Sequence, residues 1–68
     1  MSKEHPLSKN LKKMRIKKGL SQDRLAKLAD VANNTIIKME QGENINPTLY
    51  TLKKIAKALD VSVDELIQ

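Results

Sequence analysis

The 68-residue sequence contains no cysteine, tryptophan or phenylalanine, and Tyr50 is its only aromatic residue. Without cysteine the chain has no disulfide framework, no thiolate ligand for a metal and no thiol nucleophile. Proteins that stack single-stranded bases need aromatic platforms, so the near absence of aromatic residues argues against that class. The fold must therefore be held together by the packing of aliphatic side chains.

Long apolar runs and clustered catalytic groups are also missing. No apolar run approaches the roughly 18 residues of a membrane span, and the N-terminus lacks the apolar core of a signal peptide. His5 is the only histidine, and Gly19 and Gly42 are the only glycines, so neither a metal site nor a phosphate-cradling loop is indicated. We therefore expect a soluble, cytoplasmic protein that is not an enzyme and has no cofactor, metal, small-molecule ligand or membrane partner.

Positive charge is concentrated in the first two thirds of the chain. The net charge is +5, and residues 1–42 carry ten lysines and arginines against four acids, a balance of +6. Residues 43–68 carry three lysines against four acids, a balance of −1. An excess of positive charge favours a polyanionic partner, and nucleic acid is the commonest of these.

Apolar spacing and end signals predict three helices in the first part of the chain. The first lies near residues 8–18 and stops at Gly19, and a short second helix follows the N-cap Ser21. Asp30 then turns the chain, because Asp tolerates the left-handed conformation better than most residues. A third helix is expected over residues 33–41. The apolar faces of these helices consist of Leu7, Leu11, Met14, Leu25, Ala26, Leu28, Ile36 and Met39.

Two further helices are predicted after a polar loop. Asn46 is expected to cap the fourth helix with Pro47 at its first position, where the missing N–H is harmless. Ser62 and Glu65 have the spacing of a capping box for a short fifth helix. The apolar residues of these two helices are Leu52, Ile55, Ala56, Leu59 and Leu66.

The expected fold is all-α, a compact bundle of five helices without strand-like alternation. Residues 1–6 are expected to form a flexible N-terminal tail and residues 7–68 a single domain. Within residues 21–41 a short helix, a three-residue turn and a second short helix follow one another. Ala26 is small enough to let these helices cross closely, and Val31 fills the turn. This arrangement is that of a helix-turn-helix, whose second helix enters the major groove of DNA.

Motifs along nearly the whole chain support this interpretation. They are Leu11-Lys-Lys-Met-Arg15, Lys18-Gly-Leu-Ser-Gln22, Leu25-Ala26, Val31, Thr35-Ile36, Met39-Glu40, Gly42, Pro47, Leu52, Ile55-Ala56, Ala58-Leu59, Val61-Ser62 and Asp64-Glu-Leu66. In this order and spacing they resemble the XRE family, the lambda-Cro and phage-repressor type of helix-turn-helix. The resemblance implies a lambda-repressor-like fold and binding to double-stranded DNA, usually as a dimer on symmetric operators.

Candidate base contacts lie on the predicted third helix. Asn33 and Asn34 are at its exposed start, where an amide can pair with adenine N6 and N7, although either could instead cap the helix. Lys38 lies one turn further and could reach guanine or a phosphate, and Thr35 could meet thymine or a phosphate. Ile37 should point outward, where contact with a thymine methyl group or ordinary surface exposure would explain it.

The family resemblance also implies contacts with the DNA backbone and one structural ion pair. Gln22 opens the second helix, whose free N–H groups favour a phosphate, and its side chain could also brace the third helix. Arg15 and Glu40 would form an ion pair that ties the first helix to the end of the third. The residues placed near phosphates are Gln22, Gln41, Asn44, Asn46 and Thr48.

Two residues depart from the family pattern within the turn. The family usually has Gly at the position of Asp30, so slight strain is expected there. It usually has Ser or Thr at the position of Ala32, so the customary N-cap of the third helix is missing and Asn33 is the alternative cap.

A homodimer is expected, because one small domain contacts too little DNA to discriminate well. The candidate interface residues are Leu49, Tyr50, Val63 and Ile67, with peripheral core as the alternative. The sequence thus predicts a bacterial or phage transcriptional regulator that binds double-stranded DNA as a dimer on an inverted-repeat operator. The alternative function is an antitoxin or anti-repressor-like protein-interaction module on the same fold.

Overall fold

The computed structural model describes residues 5–43 and 46–68, and these form five helices. They are α1 (Pro6–Lys17), α2 (Gln22–Ala29), α3 (Asn33–Glu40), α4 (Leu49–Leu59) and α5 (Val63–Ile67). No strand occurs within the described residues. The prediction of an all-α fold with five helices is therefore confirmed.

The first helix begins two residues earlier than predicted. His5 is the N-cap of α1, and its Nδ1 accepts a hydrogen bond from the Leu7 N–H at 3.3 Å. Pro6 occupies the first helical position, where its fixed φ suits a helix and its missing N–H is not needed. His5 and Pro6, which were assigned to the tail, thus start the helix, and residues 1–4 lie outside the described residues.

The predicted cap of the fourth helix is wrong. Thr48, not Asn46, is the N-cap of α4, and its Oγ1 accepts a hydrogen bond from the Thr51 N–H at 3.1 Å. The same hydroxyl donates to Thr51 Oγ1 at 3.0 Å. These two bonds favour a start at Leu49, so Pro47 precedes the helix instead of opening it.

The predicted capping box of α5 is confirmed. The Glu65 N–H donates to Ser62 Oγ at 3.0 Å, and the Ser62 N–H donates to Glu65 Oε1 at 2.9 Å. The backbone N–H of Ser62, and then its hydroxyl, hold the pKa of the Glu65 carboxyl below its ordinary value. The resulting stabilisation is present above the ordinary carboxyl pKa and is lost as the pH falls through the lowered value.

Every helix contributes to one core of aliphatic side chains. Leu28, however, is 58% exposed, so its predicted place on the inner face of α2 is wrong. At about 100° per residue, Ala29 falls between Leu25 and Ala26 on the helix surface, whereas Leu28 falls outside that arc. The largest fully buried side chains are Leu11, Leu25, Ile36, Met39, Ile55, Leu59 and Leu66.

α2 and α4 each end at an aspartate whose backbone is left-handed. Asp30 follows α2 with φ 58° and ψ 48°, and Asp60 follows α4 with φ 58° and ψ 44°. After each aspartate a valine N–H closes the helix, from Val31 to the Ala26 carbonyl at 2.9 Å and from Val61 to the Ala56 carbonyl at 3.0 Å. This closure is the Schellman pattern, in which a left-handed residue is usually glycine because a Cβ is strained there.

We predict that Asp30→Gly and Asp60→Gly each raise the free energy of unfolding, by about 0.5–1 kcal/mol, because glycine relieves the strain of the left-handed backbone. Urea denaturation followed by circular dichroism measures the change. Asp64→Gly is the control, because Asp64 lies in the first turn of α5, where glycine relieves no left-handed strain and weakens the helix. Loss of stability in the Asp30 and Asp60 variants would contradict this explanation.

Candidate nucleic-acid interface

The predicted helix-turn-helix consists of α2, the turn of residues 30–32, and α3. Ala26 is 2% exposed and Ile36 is fully buried, so the two helices pack closely through small and branched aliphatic side chains. Val31 is half-buried in the turn and packs against the core. The packing holds one side of α3 against the protein and leaves its other side exposed.

The exposed side of α3 carries polar and basic side chains. Asn33, Asn34 and Lys38 are exposed, and helical geometry groups them on one arc with Ile37, which is half-buried. Thr35 is also half-buried but lies outside that arc. The structure thus brings four of the five predicted base-contact residues together and sets Thr35 apart.

The asparagines at the start of α3 do not replace the missing cap. Ala32 occupies the N-cap position, no side chain makes a capping hydrogen bond, and the helix begins at Asn33. The Thr35 N–H donates to the Ala32 carbonyl at 3.0 Å, which closes the first turn without a side chain. Both amides therefore remain available for other partners. The alternative prediction that Asn33 caps the helix is wrong.

A largely buried ion pair joins the end of α3 to α1. Arg15 Nε donates to Glu40 Oε2 at 2.6 Å and Nη2 donates to Oε1 at 3.1 Å, with side-chain exposures of 12% for Arg15 and 4% for Glu40. Arg15 Nη1 also donates to the Leu20 carbonyl at 2.7 Å. Gln22 Nε2 donates to Glu40 Oε1 at 3.1 Å. This network joins α1, the segment before α2, the start of α2 and the end of α3.

The candidate phosphate contacts lie at helix ends. Gln22 is the first residue of α2 and is half-buried, and Gln41 is the exposed C-cap of α3. Asn46 and Thr48 are exposed before α4, although the Thr48 hydroxyl is engaged in capping. Asn44 lies outside the described residues.

One contact of the turn was not predicted from the sequence. Lys54 Nζ on α4 donates to the Asp30 carbonyl at 2.8 Å and lies 4.6 Å from the centroid of the Tyr50 ring. Lys54 is one lysine among several on α4, and nothing in the local sequence distinguishes it from Lys53 or Lys57. Only the packing of α4 against α2 identifies it.

The candidate dimer residues are not equally available. Leu49 is 59%, Tyr50 70% and Ile67 44% exposed, whereas Val63 is half-buried and packs against the core. Two other large apolar side chains, Ile16 at 57% and Leu28 at 58%, are exposed without having been predicted.

The part of the chain that the structure describes contains no cluster of three or more residues suited to hold a metal ion. None of its helices is long and apolar enough to span a membrane.

Comparison with known proteins gives a consistent family. A model of the helix-turn-helix family matches residues 11–66. The HTH-type transcriptional regulator SinR of Bacillus subtilis (strain 168) is 34% identical over 61 residues, which are 90% of this chain and 55% of SinR. The chain therefore spans about half the length of this curated relative.

Solved structures resemble the chain over nearly all its length. The N-terminal DNA binding domain of SinR from Bacillus subtilis has a TM-score of 0.90 and 34% identity, covering 96% of this chain and 94% of that domain. The restriction-modification controller protein C.AhdI from Aeromonas hydrophila has a TM-score of 0.85 and 34% identity. That match covers 91% of this chain and 92% of C.AhdI.

We predict that Arg15→Met lowers the free energy of unfolding by about 2–4 kcal/mol, because it leaves the buried Glu40 carboxylate without its counter-charge. Urea denaturation measures the loss. The double variant Arg15→Met/Glu40→Met should recover part of it, since no uncompensated charge remains. Lys17→Met, an exposed change near the end of α1, is the control and should alter stability little. Wild-type stability in Arg15→Met would contradict the role of the pair.

Proposed function

The chain belongs to the XRE-type helix-turn-helix family, and from this premise we propose that it is a transcriptional regulator that binds double-stranded DNA through α3. The observation that carries the proposal is the arc of Asn33, Asn34 and Lys38, exposed on a helix whose other side is locked to the protein. The arc combines amide and ammonium groups, which are the groups that recognise base edges in the major groove.

The asparagines are the proposed base readers. In each, the amide N–H can donate to adenine N7 while the amide oxygen accepts from the adenine N6 amino group. Lys38, one turn further along the same arc, can donate to guanine O6 and N7 or to a phosphate. Ile37 lies between the two asparagines on this arc and is suited to a thymine methyl group. Thr35 lies outside the arc and is suited to a phosphate or a thymine methyl group.

The proposed phosphate contacts include residues at two helix N-termini. Gln22 stands where the N–H groups of α2 begin, and the start of α4 follows Thr48, so both helix ends favour an anion. We assign Gln41 and Asn46, both exposed, and Asn44 to the same backbone contacts. Such contacts fix the register of the protein on the duplex without reading its sequence.

The surface charge of α3 favours DNA over a protein partner. Its described residues before Glu40 include no acid, and Lys38 is exposed. An acidic or apolar surface would instead favour an antitoxin or anti-repressor-like module on the same fold. The named relatives are regulators rather than enzymes, in agreement with the absence of catalytic groups in the sequence. Because its proposed partner is duplex DNA, we propose that the protein acts in the cytoplasm of a bacterium or of a phage-infected cell.

A homodimer on an inverted repeat is the proposed assembly. Two copies on two half-sites would double the contact with DNA and thereby raise discrimination. Leu49, Tyr50 and Ile67 supply exposed apolar surface for such an interface, and Val63 supports it from its half-buried position.

We predict that Asn33→Ala/Asn34→Ala removes sequence preference but keeps salt-sensitive non-specific binding, because phosphate contacts remain. Selection of random duplexes by the wild-type chain gives the preferred sequence, and titrations on that duplex and a shuffled duplex measure the preference. Asn46→Ala is the matched control and should weaken binding to both duplexes alike. Unchanged preference in the double variant would refute the assignment of the base readers.

We predict that Ile67→Glu lowers the dimer affinity at least about tenfold, because it places a charge in an apolar interface. Sedimentation equilibrium over a concentration series measures it, and Leu28→Glu, an exposed leucine outside the proposed interface, is the control. A wild-type chain that stays monomeric both alone and on the selected duplex would overturn the dimer proposal.

A further inference from the structure

The two left-handed turns of the chain differ in what holds the helix that follows. After Asp60, the helix α5 is held by the reciprocal capping box of Ser62 and Glu65. After Asp30, the helix α3 has Ala32 at its N-cap and no side-chain capping bond. The turn that leads to the proposed DNA-reading helix therefore lacks, within its own sequence, the support that the second turn has.

Support for the first turn comes from α4. Lys54 Nζ donates to the Asp30 carbonyl at 2.8 Å, and the Tyr50 ring lies 4.6 Å from the same ammonium group. Asp30 is the C-cap of α2, where the negative end of the helix dipole attracts a cation. The ring attracts the ammonium from another side through its negative face. Lys54 is thereby held by two groups, one on the turn and one on its own helix.

The direction of α3 depends on the carbonyl that Lys54 holds. The peptide plane between Asp30 and Val31 contains this carbonyl, and rotation about ψ of Asp30 moves the plane together with all that follows it. A hydrogen bond that restrains the oxygen therefore restrains the angle at which α3 leaves α2. Misplacement of α3 would carry Asn33 and Asn34 away from the base edges.

We propose that Lys54 is a positioning residue for DNA reading, which fixes the helix-turn-helix turn through the Asp30 carbonyl. This inference rests on the proposed function. It separates Lys54 from lysines that only add positive charge, because the ammonium faces the turn and the Tyr50 ring. Tyr50 supports the turn through its contact with Lys54 and also offers exposed surface.

Lys57 offers a matched control for the experiment. It lies almost one turn after Lys54 on α4 and lines the same groove, beside Leu28 and Ala29. Lys54→Met and Lys57→Met remove the same charge and keep a similar aliphatic stem. Lys54→Arg keeps a cationic donor and is the conservative variant.

Binding to the selected and the shuffled duplex is measured for all three variants. Lys54→Met should lose about threefold to tenfold in affinity for the selected duplex relative to Lys57→Met, as expected for the loss of one solvent-exposed hydrogen bond. The two methionine variants should bind the shuffled duplex equally, and Lys54→Arg should recover most of the preference. Equal preference in Lys54→Met and Lys57→Met would show that Lys54 acts only as a charge and would overturn the inference.

Amide hydrogen exchange of the free protein tests the turn without DNA. Exchange of the Val31 and Thr35 N–H groups should be faster in Lys54→Met than in Lys57→Met, while the core amides stay protected in both. Equal exchange in the two variants would refute the restraint of the turn. A wild-type chain that selects no preferred duplex would refute the proposed function, and the exchange result would still decide whether Lys54 holds the turn.

Discussion

The bidentate pair of Arg15 and Glu40 is the interaction on which the rest of the arrangement depends. Its two side chains are 12% and 4% exposed, so each charge needs the other to offset the cost of leaving water. A third donor of the guanidinium, Nη1, bonds the Leu20 carbonyl, and Glu40 accepts a further bond from Gln22. This network specifies a single geometry, because moving α1 or α3 would separate two buried charges and moving the start of α2 would break the Gln22 bond.

The apolar core acts together with this pair but has a different role. Its side chains are aliphatic, and Ile36 and Met39 on α3 are fully buried among residues from the other helices. Burial of Ile36 and Met39 determines which side of α3 faces the protein, but aliphatic contacts have little direction of their own. Directional bonds restrain the helix further, between Glu40 at its end and Arg15, and between Asp30 in the preceding turn and Lys54.

Local signals predicted the helices well, and long-range contacts were the part they missed. The Ser62–Glu65 box and the left-handed Asp30 follow from spacing and backbone preference alone, and the structure shows both. Asn46 was predicted as the cap of α4, but the Thr48 hydroxyl accepts from the Thr51 N–H and donates to Thr51 Oγ1, so the helix starts two residues later than predicted. Lys54 and Asp30 are 24 positions apart, so short-range patterns in the sequence do not predict their contact.

The weak local specification at the start of α3 has a physical consequence for binding. A capping side chain at residue 32 would accept a hydrogen bond from an N–H group in the first turn of α3, whereas Ala32 offers only its carbonyl, which the Thr35 N–H contacts. An anion at a helix N-terminus is stabilised by those same groups and by the helix dipole. In the proposed complex, a DNA phosphate or base would therefore supply stabilisation that α3 lacks at its start, while Arg15 and, in our proposal, Lys54 restrain the helix in the free protein.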